Sequence, residues 1–333
     1  HRRRVARKAA GSAAGDAVTA AGDGPARAAG PARADGPIGS RFDDRFLRKL
    51  ESLTLTIRRT AAGRSHGMRR SRRVGAGLEF ADHRDYVPGD DLRYLDWNLY
   101  GRLERRALRL YEEDEDLSID VLVDASASMA MGRPAKLDLA LQIGAALAYV
   151  GLSNLDHVGV TALGAEAAGP PPGRGKARIL PILRYLDAVR PPHRASRPSL
   201  EAAVREFLSR RRGRRRGLVA LVSDFYDPAG ARAALELVRR NRLEAIAVQI
   251  SAPDELAPQL RGDLQLCDAE TGEVRDLTIS PRALADYAQR HAALLRELRG
   301  YCRERAISCF TVTSEQPFDA VVLRMFRTAG LLG

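Results

Sequence analysis

A chain of 333 residues with 45% hydrophobic side chains can bury one sizeable core and leaves little room for two large domains. Its 54 Lys and Arg against 42 Asp and Glu give a net charge of +12, but much of the excess sits in His1 to Arg4 and between Arg210 and Arg216, so it describes short runs more than a folded face. Three cysteines, Cys267, Cys302 and Cys309, exclude a disulfide framework and a zinc-ligand spacing; no run is long and apolar enough to cross a bilayer, and the sequence reads as cytoplasmic.

Residues 1–40 are rich in Ala, Gly, Arg and Pro and nearly empty of large apolar side chains. Burial would not offset the entropy of ordering them, and they predict a disordered basic arm. The texture changes over 41–116. Phe46, Leu47, Leu50, Leu53, Leu55 and Ile57 predict a helix followed by an extended piece, and Arg64 to Arg73 a basic loop. Val74 to Tyr100 mixes turn formers (Gly75, Gly77, Pro88, Gly89) with Arg and Asp, which predicts an ordered loop rather than a regular element. Within it Arg84, Asp85, Asp90, Asp91, Arg93 and Asp96 are expected to build internal pairs and caps, and Trp97 to anchor in a core.

Beyond the acidic run Glu112 to Asp116, short apolar runs alternate with amphipathic stretches. Strands are predicted at Ile119 to Val123, Val158 to Leu163, Leu218 to Val222, Ala245 to Ile250 and Ala306 to Val312. Helices are predicted at Lys136 to Val150, Ile179 to Val189, Leu200 to Leu208, Ala229 to Arg240 and Pro281 to Arg303. This order predicts the α/β class: a doubly covered, mainly parallel, Rossmann-like sheet over 117–322, with 41–116 packed on it and 323–333 as a tail. Leu264 to Ile279, centred on Glu270-Thr271-Gly272-Glu273, predicts a small inserted hairpin.

Asp124-Ala125-Ser126-Ala127-Ser128 follows the first of these strands and so emerges at the carboxyl edge of a parallel sheet, where such folds place ligands. One carboxylate and two hydroxyls at alternate positions can aim their oxygens at one point in a tight loop. Oxygen donors without imidazole or thiolate suit a hard cation, Mg2+, Mn2+ or Ca2+. The competing reading is that Ser126 and Ser128 cap the next helix. Asp224, in Ser223-Asp224-Phe225, ends a second strand on the same rim, where it can share that cation directly or through water, or serve as a turn aspartate.

Val121 to Ser128, with its D-x-S-x-S core, resembles the metal-ion-dependent adhesion site (MIDAS) of von Willebrand factor type A domains. Gly77-Leu78-Glu79-Phe80, together with Tyr86 to Trp97 (Y-V-P-G-D-D-L-R-Y-L-D-W), resembles the signature of the bacterial DUF58 family; Leu221 to Phe225 and the hairpin around Asp268 to Glu273 are similar to it as well. The resemblance runs from roughly Phe42 to Val322. It implies a von Willebrand factor A fold with Asp124, Ser126 and Ser128 in the first metal loop and Asp224 in the third, and it carries no established catalytic activity. It also implies a partner, because domains of this family are commonly encoded beside MoxR-like AAA+ ATPases. The family's second metal loop offers a threonine where this chain has Arg194-Ala195-Ser196-Arg197-Pro198-Ser199-Leu200. Pro198 has no side-chain oxygen, so Ser196, Ser199 or a water stands in.

Enzymatic chemistry at such a site needs a base, a nucleophile or a second metal cluster within reach. His66, His83, His157, His193 and His291 are dispersed, Ser126 follows no G-x-S-x-G elbow, and there is no G-x-x-x-x-G-K-[ST] loop. Six arginines between Arg210 and Arg216 form a phosphate-attracting run without aromatic interleaving. The favoured reading is a metal-dependent protein-interaction module, an adaptor and not an enzyme, whose cation keeps positions open for a partner's Glu or Asp. Nucleic-acid binding through the arginine run is the alternative, and a metal-dependent hydrolase the less favoured one.

Overall fold

In the computed structural model, which describes residues 3–6, 40–62, 72–75, 79–114, 118–165, 168–191, 199–211 and 217–328, the apolar runs become the strands of one doubly wound sheet. The chain passes through β1 (Arg3–Ala6), α1 (Asp44–Ala62), β2 (Arg72–Gly75), β3 (Glu79–Asp85), α2 (Trp97–Leu103) and β4 (Ala107–Asp114) before the alternation begins. There follow β5 (Ser118–Asp124), α3 (Lys136–Ser153), β6 (His157–Leu163), α4 (Ile179–Ala188), α5 (Leu200–Arg210), β7 (Leu218–Ser223) and α6 (Pro228–Arg240). The last part is β8 (Glu244–Ser251), α7 (Pro253–Leu256), the hairpin β9 (Gly262–Asp268) and β10 (Val274–Ile279), α8 (Pro281–Glu304), β11 (Ser308–Thr313) and α9 (Phe318–Thr328).

Strands β11, β8, β7, β5 and β6 lie side by side in that order, every neighbouring pair parallel. Side chains alternate across a strand, and here the alternation sorts two cores. Val121, Val123, Ala220, Val222, Val248 and Ile250 join residues of α3, α4 and α9 on one face; Leu122, Val219, Leu221 and Ala247 join α5, α6 and α8 on the other. Cover on both faces is why the strands read as unbroken apolar runs. Helix α3 is buried almost all round, and Gly144 lets it lie directly on β5, since a Cβ there would come within 2.9 Å of Val123 Cγ2. This is the von Willebrand factor A-like arrangement that the resemblance implies.

Helix α1 is one continuous element where the sequence predicts a helix and an extended piece. Phe46, Leu50, Leu53 and Ile57 recur at helical spacing on its buried side, while Leu55, off that stripe, is exposed. The ring of Phe46 packs on Phe42 at 5.0 Å and on Phe318 of α9 at 4.5 Å, so α1 belongs to the first core. Arg41 to Asp138 (2.7 Å) and Lys49 to Asp319 (3.0 Å) are ion pairs that bind the same region to α3 and α9. Helix α9 continues past residue 322, the predicted boundary, because Met325 is buried beside Val321 and Val322.

Val74 to Tyr100 contains regular elements where a loop is predicted: the end of β2, β3 and most of the short α2, with β4, from farther along the chain, pairing antiparallel between β2 and β3. Its polar side chains pair internally, Arg84 with Asp90 (2.7 Å), Arg93 with Asp91 (2.6 Å) and Arg105 with Asp85 (2.8 Å). Asp96 caps α2 by accepting from the Asn98 and Leu99 amides and also binds His83 and Arg109. Trp97 is not a core anchor. It is 63% exposed and lies edge-on to Tyr100, because it opens a seven-residue helix that buries none of its side chains, while Asp96 before it is turned inward. Of the arm, Arg3–Ala6 pairs antiparallel with β9, and residues 7–39 lie outside the described residues, as do Gly77 and Leu78. No helix among the described residues is long and apolar enough to cross a membrane.

Two outcomes follow from this packing. Phe46→Ala is expected to destabilise the whole fold by about 3–5 kcal/mol, the cost of a buried phenylalanine truncation, in urea unfolding followed as a single transition. A loss under about 1 kcal/mol would mean that α1 is a loosely docked appendage. Arg109 and then His83 hold the Asp96 carboxyl well below the usual carboxylate range. Its folded value is thus depressed below the unfolded value of about 3.9, so its contribution is whole above about pH 4 and is lost as pH falls further. Asp96→Asn should flatten the decline of stability below about pH 4, read by urea unfolding at stepped pH; an unaltered profile would remove Asp96 from the acid response.

Candidate metal centre

Strand β5 delivers Asp124 to the carboxyl edge of the sheet, and the chain turns at once into a short 3-10 turn, Ala127–Ala130. Asp124 Oδ1 accepts from the Ser126 amide at 2.9 Å and Oδ2 from the Ser223 hydroxyl at 2.7 Å, which ties this loop to the end of β7. Ser126 stands at the start of the turn yet makes no side-chain capping bond; its Oγ lies 3.0 Å from Ser128 Oγ. The capping reading therefore does not describe Ser126. Asp124, Ser126 and Ser128 are all buried. The 3.0 Å between the two hydroxyls is a hydrogen bond, and the donor set, being all oxygen, is of the kind that suits a hard cation.

Behind this loop lies a buried charged network that sequence reasoning missed. Asp224 is fully buried; its Oδ1 accepts from the Tyr226 amide at 3.2 Å and its Oδ2 from Lys136 Nζ at 2.9 Å. Lys136, the first residue of α3 and also fully buried, gives a second bond to Glu255 Oε1 and lies 4.5 Å from the centre of the Tyr226 ring. Glu255 Oε2 accepts from the Tyr226 hydroxyl at 2.6 Å and the Ala252 amide at 2.8 Å. Because Tyr226 has one hydroxyl proton and gives it to Glu255, it accepts from His291 Nε2–H at 3.0 Å. Burial pulls the His291 pKa down and pushes that of Tyr226 up, Glu255 adding to the latter. The legible signal was Lys136 itself: a cation in the first turn of an apolar helix opposes the helix dipole and needs a partner.

The loops that carry these groups touch closely. Gly132, at φ +92°, lies against the loop after β8, where an added Cβ would meet Ala252 Cβ at 2.2 Å. From the hairpin, Glu270 Oε1 accepts the Ser128 amide at 3.0 Å. Burial, and next the charge of Asp224, push the Asp124 carboxyl above the usual carboxylate range. Two carboxylates held near one another in a dry place resist joint ionisation, and a bound cation reverses that.

Asp124, Ser126, Ser128 and Asp224 thus come together at one edge. Ser199 instead caps α5, its Oγ accepting from the Ala202 amide at 3.2 Å, while Ser196 and Pro198 lie outside the described residues. No group of three or more His, Cys, Asp and Glu able to hold a metal occurs among the described residues, so a cation here relies on serine hydroxyls. The arginine run is not one exposed patch: Arg211 forms a nearly buried pair with Asp120 at 2.7 Å and Arg210 pairs with Glu206, while Arg212 and Arg214 to Arg216 lie outside the described residues.

A family model described as a protein of unknown function, DUF58, matches residues 82–296. An uncharacterized protein of Mycobacterium tuberculosis (strain ATCC 25618 / H37Rv) is 31% identical over 271 residues, covering 78% of this chain and 83% of the relative. An uncharacterized protein of Mycobacterium bovis is similar to the same extent, 31% over 271 residues with coverage of 78% and 83%. Among solved structures, the conserved hypothetical protein BatB from Bacteroides thetaiotaomicron aligns with a TM-score of 0.40 at 13% identity, covering 64% of this chain and 98% of that one. An aerotolerance-related membrane protein from Bacteroides fragilis aligns with a TM-score of 0.38 at 15% identity, covering 64% and 99%.

Removing one partner of a buried ion pair leaves its carboxylates uncompensated. Lys136→Met is expected to cost about 3–5 kcal/mol in urea unfolding without divalent ions. Adding Asp224→Asn should restore part of that loss; a fully additive double variant would show that the two groups are not coupled.

Proposed function

The chain belongs to the DUF58 family, and from that premise we propose that it is a protein-interaction module whose site at Asp124, Ser126 and Ser128 binds Mg2+ or Mn2+ and, through the ion, a partner's carboxylate. The observation that carries this reading is the convergence of the Ser126 and Ser128 hydroxyls, 3.0 Å apart, beside the buried Asp124 carboxylate. When bound, the ion supplies positive charge that one carboxylate and two hydroxyls neutralise only in part. A Glu or Asp of the partner completes it. Without the ion nothing at the two serines carries the positive charge that group needs, so recognition depends on the cation.

Asp224 acts from behind, through water, because the Lys136 ammonium and the Tyr226 amide already engage its two oxygens. Ser199, held as a helix cap, leaves the second metal loop to Ser196 or water. The family resemblance supplies the partner class, a MoxR-like AAA+ ATPase for which this chain serves as adaptor. The reading assigns no turnover and gives Tyr226, Glu255 and His291 the part of holding Lys136 in place.

Calorimetric titration of metal-stripped protein with Mg2+ and with Mn2+ should give saturable heats that vanish in an Asp124→Ala/Ser126→Ala variant. Equal heats in both proteins would sink the metal site. Capture from native lysate should recover the ATPase with Mg2+ but not with EDTA or with Asp124→Ala, the lost carboxylate contact being worth about 2–5 kcal/mol. Recovery under every condition would discard the cation as the bridge.

A further inference from the structure

The hairpin β9–β10 brings a carboxylate of this chain to the backbone of the D-x-S-x-S loop. Glu270 stands in the turn, 142 residues from Ser128, and accepts the Ser128 amide at 3.0 Å. Ser128 also presents the hydroxyl that faces Ser126 Oγ at 3.0 Å, so the Glu270 carboxylate reaches one of the two serines that define the cation site. Its backbone is set for this. Asp268 Oδ1 accepts the amides of Glu270 (2.8 Å) and Thr271 (3.0 Å), and Gly272 closes the turn at φ +72°, donating to the Asp268 carbonyl at 2.9 Å. The hairpin itself is lightly attached: every residue of β10 but the last is exposed, and Leu266 is the buried apolar side chain of β9. An element with so few buried contacts opens at low cost compared with the sheet beside it.

We propose that Glu270 is a further ligand of the cation site, an internal carboxylate that closes the ion's open position until a partner's Glu or Asp displaces it. The inference rests on the metal reading above and assigns the hairpin the part of a built-in competitor. It also defines the partner's element: an acidic side chain at the tip of a turn, delivered as the Asp268 to Glu273 turn delivers Glu270. Glu270 would hold the ion by turning from the Ser128 amide toward the hydroxyl of the same residue. Carboxylate exchange at one ion needs no change of the buried Lys136 network.

The test uses the full chain and Mn2+ as the probe, with binding read by electron paramagnetic resonance and the water on the bound ion read by proton relaxation. In Glu270→Ala a water takes the vacated position, so the relaxivity of bound Mn2+ should rise and its affinity should fall by roughly tenfold or more. Glu270→Gln, which keeps the shape and the bond to the Ser128 amide but not the charge, should fall between. Acetate, standing for a partner's carboxylate, should lower the relaxivity of the Ala variant and leave the native chain unchanged; unfolding curves in EDTA verify the fold of each protein. Equal Mn2+ affinity and relaxivity in all three proteins would overturn the role of Glu270 while leaving the cation site standing. Failure of the native chain to bind Mn2+ would remove both.

Discussion

A fully buried ammonium organises this molecule. Lys136 has no access to water, and an ion so placed persists only when opposite charge and hydrogen-bond acceptors surround it. Asp224 and Glu255 supply them, which forces the loop before α3, the loop after β7 and the loop after β8 into one mutual arrangement. The net stability of such a network is small when set against an apolar core, since desolvation offsets most of the attraction. Its effect is on geometry. The two carboxylates meet only where both can reach the one ammonium, which fixes the three loops against each other.

That geometry decides what the carboxyl edge can do. Lys136 is shared between Asp224 and Glu255, and the Asp124 carboxylate takes its named bonds from a serine hydroxyl and an amide, neither of which carries charge. The edge therefore remains electrostatically suited to a further cation at the two serines. Burial favours the neutral forms of the tyrosine and histidine nearby, and His291, Tyr226 and Glu255 are linked in one chain of hydrogen bonds. Tyr226 and His291 brace Glu255, which in turn holds Lys136.

The region before the sheet is built on two different principles. Helix α1 enters the main core through phenylalanine rings, so its attachment is apolar. The small antiparallel sheet after it is held by short-range ion pairs and by Asp96, whose carboxylate joins the cap of α2 to His83 and Arg109 of the neighbouring strands. Holding its turns with polar groups leaves apolar ones outward: Leu92, Trp97 and Leu103 are all exposed. A lone tryptophan reads as a core residue on average, but the local helix is too short to bury one of its faces.

The parallel strands and long helices were legible from the chain alone, because a strand covered on both faces must be apolar at every position and a packed helix must repeat at its own period. So was the D-x-S-x-S loop, since a residue directly after a buried parallel strand has only the carboxyl edge to go to. Hydrophobic pattern failed at α1, where an exposed Leu55 imitated a change of element, and over 72–103, where turn formers and charges concealed strands and a helix. The partners of the site were hidden for another reason. Asp224 and Glu255 lie 88 and 119 residues beyond Lys136, and Glu270 lies 142 beyond Ser128. Sequence specifies each charge and the element that carries it; which charges meet is decided when the sheet order brings its loops to one edge, because only there does burial make an unpaired charge too costly to keep.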